Sequence, residues 1–207
     1  MNQTAPQGRN EKERVICQAA LKIIKEKGYH RARISDIARE AGISYGLVYH
    51  YFRNKADLFD MILRQWWEGL FQLMEEIDQK EQDPAEKLKR LILYFFDTYQ
   101  ADPERVNVFI TEISRSTANL TQGRLNYFKE CMSRMKGLIQ EGQASGTFRS
   151  DLNPRYLTYI FLGAIETFLS AMVLEDQKIK GDAQKERIAD TILEVFLNGA
   201  GNPRKRS

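Results

Sequence analysis

The sequence predicts an all-α protein of about nine helices, and three observations predict it. Apolar residues recur at helical period almost everywhere, while the alternation of a half-buried strand is never sustained. Asp83-Pro84, Asp102-Pro103 and Asn153-Pro154 repeat one helix-starting device. The Asp or Asn caps free N–H groups, and the proline has no N–H to leave unpaired and a φ that is already helical. Five prolines and 13 glycines among 207 residues, 43% of them hydrophobic and 29% charged, suit a globular chain rather than a disordered or collagen-like one.

The first helix is expected over 10–27, with Val15, Ala19, Ile23 and Ile24 on one stripe and Gly28 ending it. Short helices follow over 35–41 and 45–52, parted by Gly42. From residue 55 a long helix carries Leu58, Met61, Ile62, Trp66, Leu70, Leu73 and Ile77 at three- and four-residue steps. The proline-marked starts open helices at 84–100, 103–116 and 154–175. One more fills 120–144 and closes at Ser145-Gly146; the last covers 183–198 and stops at Gly199. The organisation expected is an N-terminal domain over 1–54, a larger helical domain over 55–200 and a frayed basic tail over 201–207.

Charge is distributed unevenly between these parts. Residues 1–60 hold 11 Lys/Arg against 7 Asp/Glu, whereas the remainder holds 20 against 21. Between Ala41 and Ala56 there is no carboxylate, although His50, Arg53 and Lys55 are present. A segment cleared of negative charge suits a surface that faces phosphates.

That segment sits inside a helix-turn-helix pattern over 35–52. Two short helices crossing near a right angle need a small residue at their contact, which is Ala38. Gly42 supplies the positive φ of the turn, Ile43 plugs the angle, and Ile37, Ala41, Val48 and Tyr51 close the core. Ser44 is placed to cap the second helix. Tyr45, Gly46, Tyr49 and His50 then stay exposed, with Leu47 partly so.

Ile37-Ala38, Ala41-Gly42-Ile43-Ser44, Gly46, Val48-Tyr49, Phe52, Lys55 and Leu58 together resemble the DNA-binding signature of TetR-type repressors. The resemblance implies a homodimeric, cytoplasmic repressor whose partners are palindromic double-stranded operator DNA and a small hydrophobic effector. It also implies that Tyr49 and Lys55 hold backbone phosphates. The start of a helix at Lys55 is compatible with that role. Where the family usually has Thr or Ser this chain has Arg33, so a capping hydroxyl is lost and Arg33 becomes a candidate phosphate ligand.

Beyond residue 84 nothing signals catalysis. Both histidines, His30 and His50, lie in the first sixty residues, no glycine-rich loop follows a strand, and no H-E-x-x-H occurs. Cys17 and Cys131 read as buried thiols rather than as a disulfide or zinc ligands. The polar N-terminus lacks the apolar core of a signal peptide. No enzyme, cofactor, metal or membrane partner is expected.

The C-terminal half is instead rich in apolar surface. The stretch 157–174 is apolar on most sides, though Thr158, Glu166, Thr167 and Ser170 interrupt it as a membrane span. Leu157, Phe161, Leu169 and Met172, with Ile188, Ile192, Val195 and Phe196 from the last helix, are the expected dimer interface, as the TetR resemblance also implies. Tyr99, Phe109, Phe128, Phe161, Ile165 and Phe168 are candidates for lining an effector pocket, with plain core as the alternative. The runs over 109–116, 162–166 and 175–178 resemble TetR-type regulators of fatty-acid degradation, which bind long-chain acyl-CoA. On that likeness Arg115 or Arg124 would meet an anionic head group. A drug-like planar hydrophobe is the rival effector, and a helical carrier without DNA binding the rival class.

Overall fold

The computed structural model describes residues 5–81, 83–110 and 122–200. Among the described residues there are nine helices and no strand: α1 (Ala5–Lys27), α2 (Ile34–Glu40), α3 (Tyr45–Tyr51), α4 (Lys55–Lys80), α5 (Pro84–Ala101), α6 (Pro103–Val108), α7 (Gln122–Ala144), α8 (Pro154–Leu174) and α9 (Asp182–Ala200). The proline device holds at all three boundaries. Asp83 accepts from the N–H of Ala85 at 3.0 Å, Asp102 from Arg105 at 3.0 Å and Asn153 from Arg155 at 2.9 Å. The expected helix ends at 111–116 and 120–121 and the tail 201–207 lie outside the described residues.

The chain divides into two compact units. In the first, α1, α2, α3 and α4 as far as Trp66 enclose Ile16, Ala20, Ile37, Val48, Leu58 and Phe59, all fully buried. Val108 belongs to the same core, and Phe109 stacks on Trp66 with ring centres 4.4 Å apart. Ala38 is buried where α2 meets its neighbours. Gly42 takes φ 64°, which lets the chain reverse so that Ile43 donates its N–H to the Ala38 carbonyl at 3.0 Å.

The second unit contains α4 from Trp67, α5, α6 through Val106, α7, α8 and α9. There α5 packs on α7, α8 and α9, α7 on α8, and α8 on α9, around Leu88, Leu91, Ile92, Phe96, Phe148 and Phe161. One ammonium ties three helices. Lys87 of α5 is buried, yet it donates to both Glu141 oxygens of α7 at 2.8 and 2.9 Å and to Asp78 of α4 at 3.3 Å. Its partners reach solvent, so charge is buried on one side of the pair alone.

Most of the partner-facing set expected from sequence is already packed within the one subunit. Leu157, Phe161, Leu169, Met172, Ile192 and Phe196 are already buried within this one subunit, and Ile188 is half-buried. Phe196 stands edge-on to Phe161 at 5.2 Å and to Phe148 at 6.1 Å. These side chains close α8 onto α9 and are core first. Among the apolar residues left bare on α8 and α9 are Ile160 (61% exposed), Phe168 (39%) and Val195 (69%), and of these three only Val195 belonged to the expected set. They rim a groove of about 470 Å³ whose floor is Leu157, Phe161, Ile192 and Phe196. Accordingly α8 is long and apolar enough to cross a membrane, with mean hydropathy 1.8 over 18 residues, but only 33% of that window is buried. It is a helix with one packed face and one unpacked face.

Candidate functional site

The turn at Gly42 leads directly into α3, and Ser44 caps it. The Ser44 backbone is extended and its hydroxyl accepts from the Leu47 N–H at 3.3 Å. Val48 is buried beneath the helix and Phe52 just beyond its end, so the opposite face is turned outward. That face carries Tyr45 at 54% exposure and Tyr49 at 43%, with Gly46 and His50 also exposed and Leu47 half-buried. The Tyr45 and Tyr49 hydroxyls are hydrogen-bonded at 3.1 Å, their rings 5.0 Å apart and edge-on. The bond with Tyr45 pushes the Tyr49 phenol above its usual value, which keeps it a neutral donor and acceptor. Open space surrounds Gly46, so a ligand backbone can come close there.

The nearest carboxylates are occupied. Asp36 pairs with Lys27 at 2.8 Å and Arg39 at 2.9 Å, and the hydrogen bond from Lys27 holds its carboxyl below the usual range. Glu40 pairs with Lys22 at 2.6 Å. The α3 helix itself carries no carboxylate, and Asp36 and Glu40 of α2 are both paired with cations.

Arg33 is exposed at the N-cap of α2 with φ −109° and makes no side-chain cap, as expected from the missing hydroxyl. The Lys55 ammonium donates to the carbonyls of Tyr29, Ala32 and His30 at 2.6, 3.0 and 3.1 Å, which uses all three of its N–H bonds. Asn54 was not foreseen from the sequence. Its side chain accepts from the Asp57 N–H at 2.9 Å, and Asp57 accepts from the Arg53 N–H at 3.0 Å.

The residues named for an effector pocket fall in both units. Phe109 packs in the first unit. In the second, Tyr99 is buried and donates to the Gln177 carbonyl at 2.5 Å, Ile165 and Arg124 are buried, and Phe128 is exposed on α7. Phe161 and Phe168 line the α8–α9 groove instead. Arg115 lies outside the described residues. Burial pushes the Cys131 thiol up to about 12, so it is no nucleophile at neutral pH.

A helix-turn-helix with a bare, carboxylate-free second helix, joined to a separate helical unit, defines the class: a helix-turn-helix transcription regulator. The sequence matches "Bacterial regulatory proteins, tetR family" over residues 16–62 and "YsiA-like protein, C-terminal region" over 66–198. The chain belongs to the TetR family of bacterial regulators, and is not an enzyme.

Among its relatives is the fatty acid metabolism regulator protein of Bacillus subtilis (strain 168), 28% identical over 90% of this chain and 94% of its own. The HTH-type transcriptional repressor KstR2 of Rhodococcus jostii (strain RHA1) is 25% identical over 95% and 94%. FadR of Bacillus subtilis, solved in complex with stearoyl-CoA, superposes with TM-score 0.75 at 27% identity, covering 90% of this chain and 98% of that one. The fatty acid degradation regulator FadR of Bacillus halodurans gives TM-score 0.78 at 26% identity, covering 96% and 98%.

Proposed function

We propose that the protein is a cytoplasmic, homodimeric transcriptional repressor that binds palindromic operator DNA and leaves it when a long-chain acyl-CoA binds. The exposed α3 carries the DNA part of this reading. Tyr45, Gly46, Leu47 and His50 are presented to base edges, and Tyr49, Ser44 and Arg33 to the backbone. Two such helices enter successive major grooves when their centres stand about 34–36 Å apart. The bare rim of the α8–α9 groove supports the dimer. A second copy related by a two-fold axis covers Ile160, Phe168 and Val195 with the same residues. The domains of this reading are an operator-binding part through residue 54 and a sensing and dimerising part over 55–200.

The likeness to FadR, which was solved with stearoyl-CoA, supports the effector class. On this reading Arg124 of α7, a buried cation, meets the anionic head group. An acyl-CoA that prefers a dimer of another spacing lowers DNA affinity, and DNA weakens acyl-CoA binding by the same factor.

Fluorescence anisotropy with a labelled duplex from upstream of the protein's own gene tests both parts. Retention at moderate salt, then release by stearoyl-CoA but not by CoA alone, is the expected result. No retention refutes the operator reading. Retention with release by a planar cationic dye and none by stearoyl-CoA refutes the effector.

A further inference from the structure

Selectivity for a duplex sequence comes from protein groups that match base edges. The side chains that do so most specifically are Arg and Lys on guanine, Asn and Gln on adenine, and Asp and Glu on cytosine. From Ala41 through Phe52 the chain contains none of these six. Beyond the Ser44 cap, the exposed positions of α3 are Tyr45, Gly46, Tyr49 and His50, with Leu47 half-buried. What they offer a base edge is apolar surface, backbone and single hydrogen bonds.

The apolar surface is gathered in the first turn. At about 100° per residue, Gly46 points away from the buried Val48, and Tyr45 and Leu47 stand to either side of it. Gly46 has no side chain and open space around it, so this turn can come close to the floor of a groove. It brings the Tyr45 ring, 54% exposed and edge-on to that of Tyr49, and the branched alkyl group of Leu47. Among the base edges of the major groove the apolar feature is the C5-methyl of thymine.

We propose that α3 selects its half-site through thymine methyl groups, gripped by the Tyr45 ring and Leu47 on either side of Gly46, rather than through bidentate hydrogen bonds to purines. This deepens the operator-binding reading and rests on it.

Uracil has the hydrogen-bonding edge of thymine and lacks its methyl, while 7-deazaguanine lacks the N7 acceptor of guanine. Anisotropy is therefore measured with the upstream duplex unmodified, with uracil for every thymine, and with 7-deazaguanine for every guanine. Burying one methyl changes affinity about fourfold, so one methyl in each of two half-sites changes it about fifteenfold. The uracil duplex should bind at least that much more weakly, and the 7-deazaguanine duplex within about twofold of the unmodified one. A uracil loss below about fourfold, or a larger loss with 7-deazaguanine, overturns the proposal.

Uracil also alters how a duplex deforms, and two variants separate that effect from contact. Tyr45→Ala and Leu47→Ala, neither in the buried core, should each reduce the thymine-to-uracil affinity ratio by about fourfold or more. The same ratio in the wild-type chain and both variants assigns the loss to duplex shape and overturns the proposal. Should a variant fail to hold even the unmodified duplex, the wild-type comparison of the three duplexes decides alone. A wild-type chain that holds no form of the duplex refutes the operator reading and this inference with it. One that holds all three alike sustains the operator reading and refutes this inference.

Discussion

The Tyr45–Tyr49 pair is an exposed contact between two hydroxyls with few obligations to the fold. Tyr49→Phe should leave stability within about 0.5 kcal/mol, since the site is on the surface. Duplex affinity should fall by about 1 kcal/mol per subunit, the net worth of one hydrogen bond, or roughly thirtyfold for a dimer that carries the substitution twice. Calorimetric melting beside anisotropy reads the two effects apart. The raised Tyr49 pKa keeps its phenol protonated to higher pH, so Tyr49 should contribute no loss of affinity from roughly pH 7 to 9. An unmodified duplex affinity in Tyr49→Phe would remove this side chain from the interface. The exposure of these tyrosines was legible in sequence because helix-turn-helix spacing dictates which positions face inward, and Val48 and Phe52 obey it. The carbonyl contacts of Lys55 were not, because they run to main-chain atoms more than twenty residues away, which carry no residue-type signal.

At the scale of the element, α7 holds two glycines in opposite circumstances. A Cβ at Gly142 would stand 2.2 Å from the Phe148 ring, which is buried, whereas nothing lies within 4 Å of one at Gly137. Gly142→Ala should therefore cost about 1–3 kcal/mol by overpacking. Gly137→Ala should stabilise by up to about 1 kcal/mol through helix propensity. Urea unfolding of the pair checks both signs, and equal values would mean that the α7–Phe148 approach is wrong.

The Lys87 tie makes a second prediction at this scale. Burial works against its charge, but the bonds it donates to Glu141 and Asp78 outweigh that and hold its pKa above the usual lysine value. A raised pKa contributes stability fully present below the unfolded value of about 10.4 and lost only as pH climbs through the folded one. Lys87→Met leaves two carboxylates that solvent can reach, so its cost should stay within about 1 kcal/mol. Glu141→Gln leaves the buried ammonium short of its main partner and should cost more, about 1–3 kcal/mol. The helices themselves were legible because Asp83, Asp102 and Asn153 announce their starts chemically. The cross-helix tie was not, since Asp78, Lys87 and Glu141 each read alone as a solvated face.

For the whole molecule the decisive element is α8, because a helix apolar on most sides does not declare which side its own subunit uses. Leu157, Leu169 and Met172 turn out to serve the subunit, and Ile160, Phe168 and Val195 remain for something else. The two groups make different predictions. Leu169→Ala removes core and should cost about 2–5 kcal/mol of subunit stability. Val195→Asp, at 69% exposure, should leave the isolated subunit folded. In a two-fold interface, however, each substitution occurs twice, so the buried apolar contribution of about 1.5–3 kcal/mol per side chain is lost on both sides. Two desolvated carboxylates are gained as well. Light scattering should find Val195→Asp monomeric where the wild-type chain is dimeric, with duplex binding reduced to that of a single half-site. A Val195→Asp protein that stays dimeric and holds the duplex unchanged would show that this face meets some other partner, and that the spacing of the two α3 helices is set elsewhere.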